Sequence, residues 1–304
     1  MYHIAAFYRF ADFGDYQDFK ERWYGEARKR RIKGTLLLAA EGINGTMAVP
    51  DDPAPLAEFL EAVVGARPGL DAIVAKWSTT QNDPFRKLKV RLKKEIVTLG
   101  VPGTNPYQSG GHRADVTTWN ALLDHPDTLI IDTRNDYEVA LGSFTGAINP
   151  KTASFRDFPA YVEANLADKK DRPVAMFCTG GIRCEKASAY MRDQGFDQVY
   201  QLEGGILNYL AQVERAESKW QGDCFVFDDR VAVTHDLEPS GHSMCSACRQ
   251  PITDEDKADD RFVAGESCPA CYGTKSAEAI ASSRERYRQM ILAAKRGKDH
   301  LKRD

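Results

Sequence analysis

The chain has 304 residues, 42% of them hydrophobic, with a formal net charge of -3, and its longest purely apolar run is a short one around "LLLAA". That is a globular composition with material for two or three domains at roughly 100 to 200 residues each. It excludes a membrane-spanning helix, and the opening "MYHIAAFYRFADFGD" lacks the basic and apolar regions of a secretory signal. Seven cysteines, four of them in two C-x-x-C pairs, read as metal and catalytic thiols rather than a disulfide framework, and so place the chain in a reducing cytoplasm. Charge is uneven: Lys and Arg exceed Asp and Glu by 16 to 13 in residues 1–110 but trail by 11 to 16 in 111–218.

In chain order, "YHIAAFYRF" is predicted as a strand, followed by a helix in which Phe19, Trp23 and Ala27 fall four apart on one face. The strands "TLLLAA" and "TMAV" follow, with Asn44-Gly45 expected to supply the positive φ angles of the hairpin between them. Pro53 and acidic neighbours open a second helix. The strands "AIVAKW" and "KLKVRLKKEIVTL" complete a β-α-β-β-α-β order, the ferredoxin-like split βαβ unit.

A Gly- and Pro-rich stretch, "VPGTNPYQSGGHR", is the predicted boundary. Beyond it, short apolar strands ("TLIIDTR", "PVAMFC", "QVYQLEGG") alternate with helical segments, predicting a parallel sheet covered on both faces. From about 219 onward regular periodicity fades, and the chain ends in a basic helix. The fold class is therefore α/β: a ferredoxin-like α+β domain over 1–105, a parallel α/β domain over 113–218, and a Cys-rich segment with a basic helix over 219–304.

In "PVAMFCTGGIRCEKASAYM" an apolar strand ends at Cys178, a glycine turn follows, and a helix pattern begins near Cys184. A thiol facing turn amides and a helix N-terminus has its thiolate stabilised. Gly180 and Gly181 let backbone N–H groups converge on the sulfur, and Arg183 adds a permanent positive charge. A lone cysteine at a strand end is commonly just core. The Gly-Gly-x-Arg context favours a nucleophile. Cys178 and Cys184 lack the C-x-x-C spacing of a redox dithiol, so Cys184 is expected to be helix scaffolding with its thiol turned away, a resolving role being the weaker alternative. Cys224, in "GDCFVFDD", has no spacing partner and is expected to pack.

These segments resemble a rhodanese domain: "LIIDTRNDYEVALGSFTGAINP" its first strand and loop, "FCTGGIRCEKAS" its active-site loop, "VYQLEGGILNYL" its last strand and helix. The resemblance implies that Cys178 can carry a persulfide cradled by Thr179, Gly180, Gly181, Ile182 and Arg183. Its six-residue loop favours sulfur chemistry over dephosphorylation. Ser143 departs from the histidine many rhodaneses carry at that position. With "AAEGINGT" at the front and "GDCFVFDDRVAV" plus paired C-x-x-C motifs behind, nearly the full chain resembles the bacterial tRNA uridine hydroxylase family. That resemblance implies oxygen-dependent hydroxylation of carbon 5 of the wobble uridine, with tRNA as substrate and molecular oxygen as co-substrate. No dinucleotide fingerprint, and hence no nucleotide cofactor, is evident; no stable protein partner is predicted. Two other readings stay open, a persulfide-carrying sulfurtransferase and a non-enzymatic RNA-binding adaptor, as does the choice for Cys178 between adding to the base and carrying sulfur.

For RNA, Lys87, Lys89, Arg91 and Lys93 are predicted on one strand face, backed by Leu88, Val90 and Leu92 on the other. "RKRRIK" at 28–33 and the tail residues Arg284, Arg286, Arg288, Lys295, Arg296 and Lys298 add clusters, with Tyr287 available for stacking. Charge runs are more often solvated faces. Cys245, Cys248, Cys268 and Cys271 form C-x2-C-x19-C-x2-C, the pattern of a closed tetrahedral zinc site with a structural role.

Overall fold

A computed structural model describes residues 1–71 and 73–296; Lys298 of the basic tail lies outside the described residues. The first domain comprises β1 (Tyr2–Phe10), α1 (Phe19–Lys29), β2 (Lys33–Ala39), β3 (Gly42–Pro50), α2 (Ala54–Val64), β4 (Lys76–Thr80) and β5 (Leu88–Leu92). The sheet order is β4-β1-β3-β2-β5. β1 runs antiparallel to β3 and β4, and β5 joins β2 in parallel as an added edge. Period-two alternation splits the sheet into two faces. Ala5, Phe7, Leu36, Leu38, Met47 and Val49 meet Trp23 of α1 and Leu56 and Phe59 of α2 in one core. Burying Leu56 and Phe59 stabilises the domain by about 1.5–3 kcal/mol each. The opposite face carries no helix of its own domain, and Tyr8, Thr35, Leu37, Asn44 and Thr46 line a cleft there.

Three sequence expectations are corrected in this domain. Ala39 pairs with Gly42, so the hairpin turns at Ala40-Glu41 and its positive φ of 132° belongs to Gly42. Asn44 and Gly45 are strand residues: the Asn44 amide donates to the Ile96 carbonyl at 3.0 Å. A Cβ on Gly45 would lie 2.6 Å from Cζ of Phe7, so the glycine admits the ring rather than a turn. The strand expected from "AIVAKW" begins only at Lys76, and the long "KLKVRLKKEIVTL" strand is ordered as β only over Leu88–Leu92. After it the backbone is held by side chains, Ile96 N–H donating to Glu41 and Leu99 N–H to Glu95.

The second domain contains α3 (Pro106–Ser109), β6 (His112–Ala114), α4 (Val116–Asp124), β7 (Leu129–Asp132), α5 (Asp136–Val139), β8 (Gly142–Phe144), α6 (Phe158–Leu166), β9 (Val174–Phe177), α7 (Ile182–Asp193), β10 (Val199–Leu202) and α8 (Gly205–Gln212). Its four-stranded sheet, β6-β10-β9-β7, is parallel at each ladder. Cores lie on both faces, Leu129, Ile131, Val174 and Met176 on one side and Ile130, Ala175 and Phe177 on the other. The predicted boundary stretch is shorter than expected, because its end already forms β6.

The remainder holds β11 (Trp220–Gly222), β12 (Cys224–Phe225), β13 (Ala232–Val233), β14 (Ser243–Met244), β15 (Pro251–Ile252), α9 (Asp254–Ala258) and α10 (Ala277–Lys295). β11 adds to β8, and Cys224 packs in the core with Trp119 and Trp220, as expected of it. No helix of the described residues is long and apolar enough to cross a membrane.

Candidate active site at the domain junction

Strand β9 delivers Cys178 to the carboxyl edge of the parallel sheet, and the chain reverses through Gly180 and Gly181 into α7. Gly181 has φ 101°, a left-handed conformation that favours glycine. In it, the Gly181 N–H donates to Cys178 Sγ at 3.1 Å. The start of α8 closes the loop from the other side: Ile206 N–H donates to the Cys178 carbonyl and Leu207 N–H to that of Thr179, at 3.0 and 3.1 Å. A Cβ at Gly205 would lie 2.5 Å from the Cys178 carbonyl oxygen, which explains the glycine pair after Glu203.

Burial opposes ionisation of Cys178, yet the hydrogen bond from Cys184, the Arg183 charge and the amides of Cys184 and Gly181 outweigh it and hold the thiol well below its ordinary range. Cys184 is pushed the other way by burial and by the neighbouring sulfur. Cys184 belongs to the first turn of α7 as read, and its thiol is buried, 3.5 Å from Thr133 Oγ1.

Arg183 does not offer a free charge. Its guanidinium makes hydrogen bonds of 2.7 and 2.8 Å to the two carboxylate oxygens of Glu138 and a third of 3.3 Å to Thr179 Oγ1. Burial raises the Glu138 carboxyl, but the Arg183 charge and hydrogen bonds prevail and lower it. Glu138 was not singled out in the sequence; the available signal was Asn135-x-x-Glu138, a capping box that opens α5 within the loop after the first strand of the domain. Ser143, in place of the usual histidine, donates to Asp132 at 2.9 Å.

The first domain completes the site. Lys76 Nζ donates to the Gly180 carbonyl at 2.6 Å and also to that of Gly204. Burial lowers this ammonium to about 8 against the favourable fields of Cys178 and Glu185. Tyr8 donates to Glu185 at 2.9 Å, and Arg113 reaches the same carboxylate oxygen. Lys186 of α7 is bound by Glu41, Glu95 and the Val97 carbonyl, at 2.7, 2.5 and 3.1 Å, which pins "AEG" of the first domain to the active-site helix. Between the two domains lies a cleft of about 560 Å³, floored by Cys178, Thr179 and Gly180 and walled by Tyr8, Thr46 and Phe227. Sequence reasoning missed Lys76 and Lys186, since nothing local in either segment announces a partner more than a hundred residues away.

The other predicted residues fall elsewhere. Along β5 and the residues that flank it, Lys87, Arg91 and Lys93 are exposed and Lys89 is half-buried, but Leu92 is 40% exposed, so only Val90 fully backs the row. On α10, Arg284 pairs with Glu266 and Arg288 with Glu285, while Arg286 donates to the Ser246 carbonyl. Tyr287 packs where a Cβ of Gly265 would otherwise lie. In "RKRRIK", Lys29 and Arg30 pair with Glu26, and Lys33 with Asp83.

The sulfurs of Cys245, Cys248, Cys268 and Cys271 all lie within 4.8 Å of one another and are suited to a metal ion. The Cys248–Cys268 and Cys268–Cys271 separations are 3.7 Å. A tetrahedron with metal–sulfur bonds of about 2.3 Å has edges near 3.8 Å, so the donor set fits one ion.

Residues 2–96 match the description UPF0176 acylphosphatase like domain, and residues 115–212 match Rhodanese-like domain. Among solved structures, the rhodanese-like domain of an Anabaena protein is 21% identical, with a TM-score of 0.31, covering 36% of this chain and 78% of that one. A protein of Teredinibacter turnerae, named tRNA uridine(34) hydroxylase, is 48% identical across 99% of this chain and 92% of its own. A protein of Agrobacterium fabrum with the same name is 48% identical across 99% of this chain and 95% of its own. With that identity sustained across both domains and the cysteine cluster, the chain belongs to the tRNA uridine(34) hydroxylase family.

Proposed function

We propose that this protein is a tRNA-modifying oxidoreductase that uses molecular oxygen to hydroxylate carbon 5 of the wobble uridine, giving 5-hydroxyuridine, with Cys178 as the essential residue. The observation that carries the reading is the placement of a stabilised thiolate on the floor of a cleft whose other wall is a different domain. Such a cleft of about 560 Å³ is large enough for an extruded pyrimidine nucleotide. Thr179, Gly180, Gly181 and Ile182 shape the cradle, and Arg183 supports the thiolate while held in register by Glu138. A plain sulfurtransferase acting through a Cys178 persulfide would need the loop but not the opposing sheet face, so the hydroxylase reading is preferred.

The proposed division is a ferredoxin-like domain over 1–105, a rhodanese-like domain over 113–218 and a Cys-rich segment over 219–304. The first helps hold tRNA, with Lys87, Lys89, Arg91 and Lys93 meeting phosphates; Arg284 and Arg288 contribute to the extent that their carboxylate partners release them. Cys245, Cys248, Cys268 and Cys271 hold structural zinc, four thiolates leaving no open position for catalysis. A reducing cytoplasm is the compartment that this free-thiol set calls for. Incubating purified protein with unmodified tRNA under ¹⁸O-labelled dioxygen, with dithiothreitol supplying the two electrons that reduce the second oxygen atom to water, tests the reading: labelled 5-hydroxyuridine at the wobble position is expected, and product lacking the label, or no product, overturns it.

A further inference from the structure

Among the aromatic side chains that line the cleft, Phe7 and Phe155 are buried and Tyr8 and Phe85 half-buried, but Phe227 is 59% exposed. A ring left this open forgoes much of the stabilisation that burial would give it. Its tilt is fixed all the same. Phe225 meets it at 85° with centroids 5.1 Å apart, and the Arg183 guanidinium lies over the ring, 5.8 Å from its centroid.

The turn that carries the ring is braced from both domains. Arg230 donates to both carboxylate oxygens of Asp228 at 2.8 and 2.7 Å, each side chain being buried, and its remaining nitrogen donates to Ser78 Oγ of β4 at 3.1 Å. The Asp229 N–H donates to the Pro84 carbonyl at 3.1 Å. From the second domain, Thr179 Oγ1 donates to the Phe225 carbonyl at 3.4 Å. The Val226 N–H closes the turn on the Val231 carbonyl at 2.9 Å, and Val231 is held at φ 67°, a left-handed conformation that a β-branched residue adopts only where its surroundings impose it. A ring that served only to cover the Arg183–Glu138 pair would need neither this bracing nor its open surface.

Resting on the hydroxylase reading, we propose that Phe227 is the stacking platform for the extruded wobble base. Three observations select that occupant. The cleft has the volume of a nucleotide; Leu37, Val74, Phe85 and Val226, which share it with the ring, favour an uncharged partner; and an exposed flat ring at fixed tilt favours a flat one. Phe227 thus holds the uracil beside the Cys178 loop, and Arg183 supports the platform as well as the loop.

The test uses full-length, metal-replete protein without air, so that no turnover occurs, and two anticodon stem-loop RNAs, one with uridine and one with an abasic residue at the wobble position. Fluorescence anisotropy gives both affinities. Wild type is expected to prefer the uridine RNA roughly tenfold or more, the scale of base–aromatic stacking. Phe227→Ala is expected to bind both RNAs as wild type binds the abasic one, and that retained affinity is the check on folding. Phe227→Tyr should keep the preference. Phe227→Leu, which still covers Arg183 but has no π face, should lose it. No preference in wild type, an undiminished preference in Phe227→Ala or Phe227→Leu, or an equal weakening of both RNAs in Phe227→Ala overturns the platform, while 5-hydroxyuridine formed by wild type in air with dithiothreitol keeps the hydroxylase reading. Absence of that product overturns the hydroxylase reading, and the two affinities still decide whether Phe227 holds the base.

Discussion

The Arg183 guanidinium grips both carboxylate oxygens of Glu138, and the Glu138 side chain is completely buried. A buried carboxylate of this kind is tolerable only with its charge matched, and the match fixes Arg183 against the loop that bears Cys178. Replacing Glu138 by Ala strands a buried guanidinium and is expected to cost about 3–5 kcal/mol. Urea unfolding measures it; a loss under about 1 kcal/mol would show the pair to be dispensable.

Cys178 and Cys224 titrate in opposite directions, which alkylation with peptide-level mass spectrometry resolves. The native state lowers the Cys178 thiol, so the thiolate's contribution to stability is full above the unfolded value of about 8.5 and is lost as pH falls through the folded value. Burial raises Cys224 to about 12, so its contribution is full below that unfolded value and is lost as pH rises toward the folded one. At neutral pH Cys178 is expected to be alkylated and Cys224 protected; equal labelling would contradict the assignment.

Lys76→Met removes the donor shared by the Gly180 and Gly204 carbonyls and a positive charge beside the thiolate. The alkylation midpoint of Cys178 is expected to move upward in pH, with partial restoration by Lys76→Arg. An unchanged midpoint would confine Lys76 to packing.

Lys186 is 2% exposed and holds carboxylates from two points of the first domain. Lys186→Met is expected to cost about 3–5 kcal/mol, because Glu41 and Glu95 are left facing each other without a cation. Faster proteolysis between residues 93 and 112 is the sign to look for; wild-type resistance would show that the domains dock without it.

Cys245→Ser is expected to abolish metal binding by the four-cysteine cluster. It should also loosen α10, whose Ser283 and Arg286 both bond the Ser246 carbonyl inside the cluster. Metal analysis and amide exchange along α10 read the two effects, and retained metal would refute the ligand set.

Much of this was legible locally. A short apolar run marks β7, a strand buried on both faces, and the two glycines after Cys178 mark a loop that must approach a sulfur closely. The glycine of the hairpin was misplaced because Asn44-Gly45 carries the composition of a turn, whereas Gly45 is small to make room for the Phe7 ring across the sheet. The long basic strand was overextended because alternation continues past Leu92, where the neighbouring strand ends and backbone groups turn to Glu41 and Glu95 instead. The roles of Lys76 and Lys186 are set by the docking of one domain on the other, and no periodicity encodes that.

The central claim meets its most direct test in the wobble nucleosides of tRNA from cells lacking the gene, rescued with wild type or with Cys178→Ser. The account predicts that 5-hydroxyuridine derivatives fall without the gene, return with wild type and fail to return with Cys178→Ser. Full restoration by Cys178→Ser, or levels unaffected by the deletion, would contradict it.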